Sequence, residues 1–291
     1  MALPALVGLL VFLVVPFVVS IVLSLYNVRL NSPVPAEFFG LENYRRLLTV
    51  PVFSQPFLHS ILNNFTFAAL VVPLQTGAAL GLALLLNRKL RGMTVFRTFF
   101  FMPVVYPMAL VAIIWRLILD PGPNGLVNAL LGHLTGGLLG PHDWLGSGST
   151  AMLSVIVLSM WQGVGFQMVI ILAGLQRVPR ELYEAASVDG AGRWQRFRHV
   201  TLPGIRNTLV FVATITTIEA FRVFDQIYIL ITTAGLDEKS TQTMMYLATI
   251  TAFDQQNVGR ASAISMIFFC IVLAVTLLQR MVVRQRKDAD A

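Results

Sequence analysis

Long apolar runs constrain this sequence more than any other feature. A helix needs about 20 predominantly apolar residues to cross the hydrocarbon core of a bilayer. Six segments meet this requirement, at residues 3–26, 64–87, 98–119, 150–175, 207–232 and 261–283. Only 12% of the 291 residues are charged, against about 25% in a soluble domain. The sequence therefore predicts an all-α integral membrane protein with six spans in a single domain, residues 1–291, whose core spans lie between about 60 and 283.

The basic residues indicate how the spans are oriented. Loops on the cytoplasmic side of a membrane carry an excess of Lys and Arg. With a cytoplasmic N-terminus, the inside loops hold fourteen of the 21 basic residues: Arg88, Lys89, Arg91, Arg97, Arg177, Arg180, Arg193, Arg196, Arg198, Arg206, Arg280, Arg284, Arg286 and Lys287. Arg29 follows the first span and disagrees, so we expect a short basic segment before Met1. The pattern predicts cytoplasmic N- and C-termini, and it explains the net charge of +7 without nucleic acid.

The segments between the spans differ in character. Residues 27–60 are expected to form an external loop in which FFGLENYRRLL makes a short amphipathic helix. Residues 120–149 are rich in Gly and Pro, which predicts a loop with little regular structure. Residues 176–206 form the largest inside loop.

Motifs for catalysis and metal binding are missing from the sequence. There is no phosphate-binding G-x-x-x-x-G-K-[ST] loop, no H-E-x-x-H and no G-x-S-x-G. The four histidines lack a second His or a Cys at metal-ligand spacing, and the single cysteine, Cys270, excludes an internal disulfide. We therefore expect no catalytic residue, metal or cofactor in this chain.

The inside loop carries a helix-turn-helix pattern at residues 177–206. Pro179 suits the first turn of a helix, and Glu181 and Glu184 suit its positive N-terminal end. Gly190 is placed to stop this helix in the left-handed conformation.

A second helix is predicted from about Gly192 to Val200, ended by Pro203, with a basic outer face. This element is too polar to enter the membrane and too short to be a domain. It is interpreted as a docking surface for a cytoplasmic partner, or alternatively as an amphipathic helix pair on the lipid headgroups.

The loop also resembles a known motif, E-A-A-x3-G-x9-[IV]-x-L-P, of the membrane subunits of binding-protein-dependent ABC importers. The matching residues are Glu184, Ala185, Ala186, Gly190, Val200, Leu202 and Pro203. FFGLENYRRLL, WQGVGFQMVIILAGLQRVPRELYEAA and AFRVFDQIYILITTAG resemble the carbohydrate-uptake branch, in particular the larger maltose and glycerol-phosphate permease subunits.

This resemblance implies a six-span type I ABC importer permease in a bacterial or archaeal cytoplasmic membrane. Its partners would be a second homologous permease subunit, two ATPase subunits that bind ATP and Mg²⁺, and an extracytoplasmic solute-binding protein. The coupling role of the motif carries over to Glu184, Ala185, Ala186, Gly190, Leu202 and Pro203. The substrate would be a sugar or sugar-like solute, with glycerol phosphate as the alternative.

Polar residues inside two spans are candidates for the substrate path. Ionisable residues at membrane depth usually face a cavity or one another. Spacings of three place Glu219, Arg222 and Asp225 on one helix face, with Gln226 next to them. One possibility is that Arg222 forms a self-neutralised structural pair with one of the two acids. The other is that these residues form a wall of the translocation path.

In the fourth span, Trp161 could stack on a sugar ring while Gln162 and Gln167 hydrogen-bond its hydroxyl groups. Each amide could equally bond across helices. An ion-driven secondary transporter is the rival class. It would require paired broken helices or an inverted repeat, and the sequence predicts neither.

Overall fold

A computed structural model describes residues 3–33, 35–87, 92–138 and 140–289, with side chains to residue 281. Helix α1, Leu3–Ser24, contains a π-helical stretch at Leu10–Val14 and buries almost none of its apolar surface. A two-residue antiparallel ribbon follows, in which β1 (Tyr26–Asn27) pairs with β2 (Glu37–Phe38). This small ribbon and an isolated antiparallel bridge between Arg29 and Asn257 are the β structure in the described ranges.

The predicted amphipathic helix is present as α2, Glu42–Thr49. Asn43 is buried, and its amide donates hydrogen bonds to the carbonyls of Ser24 at 2.9 Å and Tyr26 at 3.0 Å. These bonds satisfy carbonyls that the end of α1 leaves without intrahelical partners. The outer loop is therefore fastened to the first span.

The second span is longer than predicted. Helix α3 runs over Pro51–Leu86, whereas the apolar pattern places the start at residue 64. Pro51 lies in the first turn, where its missing N–H needs no partner. The additional turns extend beyond the hydrocarbon length, so residues 51–60 belong to a helix and not to the outer loop.

The third span is broken, which the apolar pattern does not predict. Helices α4 (Met93–Val105) and α5 (Met108–Ile118) meet at an angle of 100°. Pro107 disfavours helical torsions at the residue before it, and Tyr106 is accordingly extended, with φ −75° and ψ 137°. The prediction of one continuous helix over 98–119 is wrong.

The region 120–149 is more regular than predicted. It contains α6, Leu126–Leu134, whose buried Asn128 accepts a hydrogen bond from the indole N–H of Trp144 at 2.8 Å. The Asn128 amide also donates to the carbonyl of His142 at 3.0 Å. One buried amide thus organises a segment whose Gly and Pro content suggested irregular chain.

The fourth span agrees with the sequence prediction to within one residue, as α7, Ala151–Leu175. It packs closely on α4: a side chain at Gly165 would collide with the backbone carbonyl of Phe100. Small residues that let helix backbones approach are typical of membrane bundles.

The helix-turn-helix follows as α8 (Arg180–Val188) and α9 (Arg193–Arg196), after which the chain continues through a π-helical stretch, Phe197–Thr201, into α10 (Leu202–Phe221). The fifth span is also broken, because Arg222, Val223 and Phe224 are not helical and α11 begins at Asp225 and ends at Ala234. Arg193–Ala234 is nevertheless long and apolar enough to cross a membrane as one element, so the predicted span 207–232 is confirmed and only its helical continuity is wrong.

The remaining elements are α12 (Glu238–Thr241), α13 (Met244–Phe253) and α14 (Val258–Ala289). Five helices are long and apolar enough to cross a membrane, or six if the bent α4–α5 pair counts as one span, in the ranges that the structure covers. The buried core lies where α3, α7, α10 and α11 meet. Arg88, Lys89 and Arg91 of the orientation argument lie outside the described residues, and the side chains of Arg284, Arg286 and Lys287 are likewise not described.

Candidate functional site

A cavity of about 420 Å³ lies between the two helix breaks. Val104 and Met108 line it from either side of the break in the third span, and Arg222 and Phe224 from the break in the fifth. Irregular backbone at membrane depth is tolerated where it is buried in protein or lines a cavity. The two breaks and the cavity therefore form one structural unit.

Two polar side chains, the half-buried Gln162 and the buried Asn64, bond backbone groups that the breaks expose. The amide of Gln162 donates to the carbonyl of Tyr106 at 3.2 Å. Asn64 on α3 donates to the carbonyl of Phe221 at 3.1 Å and accepts from the N–H of Met244 at 2.8 Å. Because unpaired buried backbone groups are costly, these amides stabilise the breaks.

Thr243 completes the support at the fifth-span break. Its buried hydroxyl donates to the carbonyl of Val223 at 3.1 Å. Asn64 and Thr243 come from distant parts of the chain, and nothing in the local pattern of 207–232 indicates that they would meet this segment. Sequence reasoning missed both.

The structure brings five of the predicted path residues together. The cavity lining includes Gln162, Glu219, Arg222, Asp225 and Gln226. Their geometry differs from the prediction: α10 ends at Phe221, so Glu219 and Asp225 belong to different helices and do not share one helical face.

The predicted self-neutralised pair is also absent. Within the described part of the chain, ion pairs closer than 4 Å join Glu42 to Arg45 and Arg46, so Arg222 makes none with Glu219 or Asp225. Arg222 and both carboxylates are exposed toward the cavity. The side chains of Glu219, Arg222 and Asp225 are thus accessible from the cavity.

Trp161 and Gln167 lie elsewhere. Trp161 is 42% exposed and lines a separate apolar groove between α3, α4 and α7, edge-on to Trp115. Gln167 is buried, and its amide donates to the hydroxyl of Thr216 at 2.6 Å. An interhelical hydrogen bond is the alternative to substrate contact that the sequence leaves open for Gln167.

The cavity also has lining residues that the sequence does not single out, on the second, fourth and fifth spans. They include the aromatic residues Phe67 and Phe166 and the polar residues Gln75, Ser159 and Thr216. Gln226 donates to the Ser159 hydroxyl at 3.1 Å. An isolated amide in the apolar stretch VVPLQTGAAL was the available signal for Gln75.

The predicted turn at Gly190 is present. Gly190 has φ +75°, and its N–H donates to the carbonyl of Ser187 at 3.2 Å, while the N–H of Ala191 donates to the carbonyl of Ala186 at 2.9 Å. This pair of bonds is the Schellman motif, which ends helices with a left-handed residue. Pro179, however, precedes α8 as its cap and does not lie inside the first turn.

Side-chain bonds fasten the two arms of the turn. The Arg196 guanidinium donates to the Ser187 hydroxyl at 2.9 Å, and the hydroxyls of Tyr183 and Thr201 are 3.1 Å apart. Pro203 does not end the second helix, contrary to the prediction. The π-helical stretch before it gives the ring space, so the second arm runs without a break into α10.

The motif residues present an accessible surface. Glu184 and Ala185 are exposed and Ala186 is half-buried, while Val188 (88%) and Trp194 (69%) expose large apolar side chains nearby. Glu184 has no ion-pair partner within 4 Å among the residues described. An unpaired acid beside exposed apolar side chains is a surface suited to contact with another protein.

The described residues contain no group of three or more His, Cys, Asp or Glu side chains that could hold a metal ion. The polar residues of the cavity are instead amides, hydroxyls and three ionisable groups.

Comparison with known proteins assigns the chain to a family of transport proteins. A family described as "Binding-protein-dependent transport system inner membrane component" matches residues 75–288. The chain is 39% identical to a probable ABC transporter permease protein of Bacillus subtilis, YurN, over 95% of this chain and 92% of that protein. It is 34% identical to the trehalose/maltose transport system permease protein MalF of Thermococcus litoralis, over 99% of this chain and 94% of that protein.

A solved structure has the same fold. It is a bacterial alginate ABC transporter in complex with an alginate pentasaccharide-bound periplasmic protein. A chain of that transporter matches with a TM-score of 0.84 and 22% identity, covering 98% of this chain and 93% of that one.

Proposed function

We propose a sugar-importing role for this chain, which belongs to the family of binding-protein-dependent transport system inner membrane components and is an ABC importer permease subunit. The proposal is that it carries a sugar or sugar-like solute inward. The similarity to a trehalose/maltose permease protein over nearly the whole chain supports this class. The central cavity is the structural observation behind this proposal, because aromatic, amide and hydroxyl side chains line it. A sugar ring has apolar faces that suit the aromatic rings and a polar edge that suits the amides and hydroxyls.

The cavity between the helix breaks is proposed as this subunit's part of the translocation path. Gln162, Glu219, Arg222, Asp225 and Gln226 would face the solute there. Trp161 and Gln167 are still proposed as residues of the substrate path, although neither lines the cavity. Two broken helices are also what an ion-driven secondary transporter would require, so they do not separate the two classes, whereas the family match favours the ABC importer.

The domain 1–291 is proposed to act through one coupling element, residues 177–206, between the fourth and fifth spans. Glu184, Ala185, Ala186 and Gly190 would contact an ATPase subunit, and Leu202 with Pro203 would join that contact to α10. Since the second arm is continuous with α10, a displacement of the loop would reach the fifth-span break directly. In this way ATP binding and hydrolysis in a partner chain would open and close the cavity.

The complete importer would contain four further chains. We infer a second homologous permease subunit, two ATPase subunits that bind ATP and Mg²⁺, and an extracytoplasmic binding protein that delivers the solute. The chain itself would lie in a bacterial or archaeal cytoplasmic membrane with both termini in the cytoplasm. The basic residues around the coupling element support that orientation.

Cross-linking tests the coupling surface. In a Cys270→Ser background, Ala185→Cys should cross-link to an engineered cysteine on an ATPase subunit of the assembled transporter. Gln255→Cys is the matched control and should not, because Gln255 is exposed between the fifth and sixth spans, which a cytoplasmic N-terminus places on the outer side. Cross-linking at Gln255 but not at Ala185 would contradict the assigned orientation and the docking role together.

Uptake into proteoliposomes tests the substrate class. The assembled transporter with its binding protein should accumulate at least one of ¹⁴C-labelled trehalose, maltose and lactose when ATP is enclosed with the ATPase subunits. Glycerol phosphate is the second candidate, because Arg222 is exposed toward the cavity without an ion-pair partner among the described side chains. Uptake of glycerol phosphate and of none of the sugars would replace the sugar proposal.

A further inference from the structure

We infer that Gln75 is a further solute-binding residue, whose amide hydrogen-bonds solute hydroxyl groups in the central cavity. This inference rests on the proposed sugar transport. Gln75 lies on α3, lines the same cavity as the charged residues of the fifth span, and is only 4% exposed. No resemblance of the sequence points to it.

The amide of Gln75 has no partner within the described part of the protein. None of the described residues forms a hydrogen bond to its side chain, although the residue is buried and lines the cavity. Other buried amides of the bundle bond within the protein: Asn64 with Phe221 and Met244, and Gln167 through its nitrogen with Thr216, although the Gln167 oxygen has no partner among the described residues. The polar atoms of Gln75 are not among the fully buried unpaired atoms of the described residues, so they are reached from the cavity and are free to bond a solute that enters it.

The neighbouring helix makes room for this amide. Gly163 on α7 faces Gln75 directly, and a Cβ atom at that position would collide with the Gln75 amide nitrogen. Gly163 also lines the cavity. The missing side chain on α7 thus creates the space in which the Gln75 amide lies.

The surroundings of Gln75 fit a polyhydroxylated ring. Phe67 and Val71 precede it on the same face of α3 and line the cavity with it, and Phe166 follows Gly163 on α7. Aromatic rings suit the C–H faces of a sugar, and one amide offers both donor and acceptor to adjacent hydroxyls. Gln75 would therefore discriminate between solutes by their hydroxyl pattern.

Two substitutions test the inference in the complete, reconstituted transporter. Gln75→Leu removes the hydrogen-bonding group at similar size. Gly163→Ala leaves the glutamine in the chain but displaces its amide. Gln55→Leu is the matched control, because Gln55 lies on the same helix and is exposed.

The measurement is uptake of ¹⁴C-labelled trehalose, maltose and lactose, together with ATP hydrolysis stimulated by the loaded binding protein. Loss of about one hydrogen bond should reduce uptake of the best sugar about tenfold. We expect Gln75→Leu and Gly163→Ala to show this reduction and a changed preference among the sugars, while ATP hydrolysis and assembly stay within twofold of the parent. Gln55→Leu should match the parent.

Unchanged uptake and preference in Gln75→Leu would overturn the inference, as would a parallel loss of uptake and ATP hydrolysis, which indicates a structural role. Failure of the parent transporter to carry any of the three sugars would instead overturn the proposed function. Uptake by the parent transporter therefore distinguishes failure of the Gln75 inference from failure of the proposed function.

Discussion

Gly190 gives the sharpest prediction about coupling. Its φ of +75° is the left-handed conformation, which costs a residue other than glycine about 1–2 kcal/mol. A Cβ atom at this position would meet nothing within 4 Å, so the backbone torsion is the main cost of a substitution. Asparagine tolerates the left-handed region better than alanine, alanine better than valine, and proline cannot adopt it.

The substitutions therefore form a graded series: Gly190→Asn, Gly190→Ala, Gly190→Val and Gly190→Pro. A cost of about 1–2 kcal/mol reduces the population of the native turn about five- to thirtyfold. Proline additionally removes the N–H that bonds the Ser187 carbonyl. If the turn sets the angle between the two arms, coupling should fall in this order.

The assay compares sugar uptake per ATP hydrolysed by the reconstituted transporter. We expect the asparagine variant near the parent value, alanine and valine progressively lower, and proline uncoupled. Size-exclusion chromatography checks that every variant still inserts and assembles. Parent-like coupling in Gly190→Pro would refute the reasoning, because the native turn cannot form in that variant.

Three further predictions follow from other parts of the structure. Glu184→Lys should weaken ATPase-subunit binding at least tenfold, measured by pull-down, because it reverses an exposed charge of the docking surface, whereas Glu181→Lys should weaken it less; equal effects would contradict a specific role for Glu184. Asn64→Leu should destabilise the protein by about 2–5 kcal/mol, seen as a lower melting temperature in detergent, because it leaves the Phe221 carbonyl and the Met244 N–H without their partner; an unchanged melting temperature would show that the fifth-span break needs no such support. The hydrogen bonds from Arg45 and Arg46 lower the pKa of Glu42 from 4.5 to about 2, so the stabilising contribution of this ion pair is complete above pH 4.5 and is lost as the pH falls toward 2; the effect of Glu42→Gln on the melting temperature should therefore be constant between pH 8 and 5, and an effect that varies across this range would contradict the assignment.

The sequence predicted what depends on local composition. Apolar length located all six spans, and the glycine at 190 predicted the turn because few other residues adopt a positive φ. The break in the third span has a local cause, Pro107, which apolar length does not register. The break in the fifth span could not be predicted, because its stability comes from distant side chains. Asn64 and Thr243 satisfy the carbonyls around Arg222, and neither lies near that segment in the chain.

The candidate site likewise has some residues that local composition reveals and others that only the folded protein reveals. The charges of the fifth span stood out because ionisable residues are rare at membrane depth. Gln75 did not, since one amide in an apolar helix more often bonds across helices. Its significance depends on Gly163 and on the cavity, both of which exist only in the folded protein. For the same reason Trp161 was a plausible sugar contact in sequence, yet it lies outside the cavity.

Import driven by a partner ATPase is tested most directly by uptake of labelled trehalose or maltose into proteoliposomes that contain the chain, a homologous permease, the ATPase subunits and the loaded binding protein. Accumulation should require both ATP and the binding protein and should be lost in Gly190→Pro. Accumulation driven by an ion gradient without ATP, or equal accumulation in Gly190→Pro, would contradict the assignment.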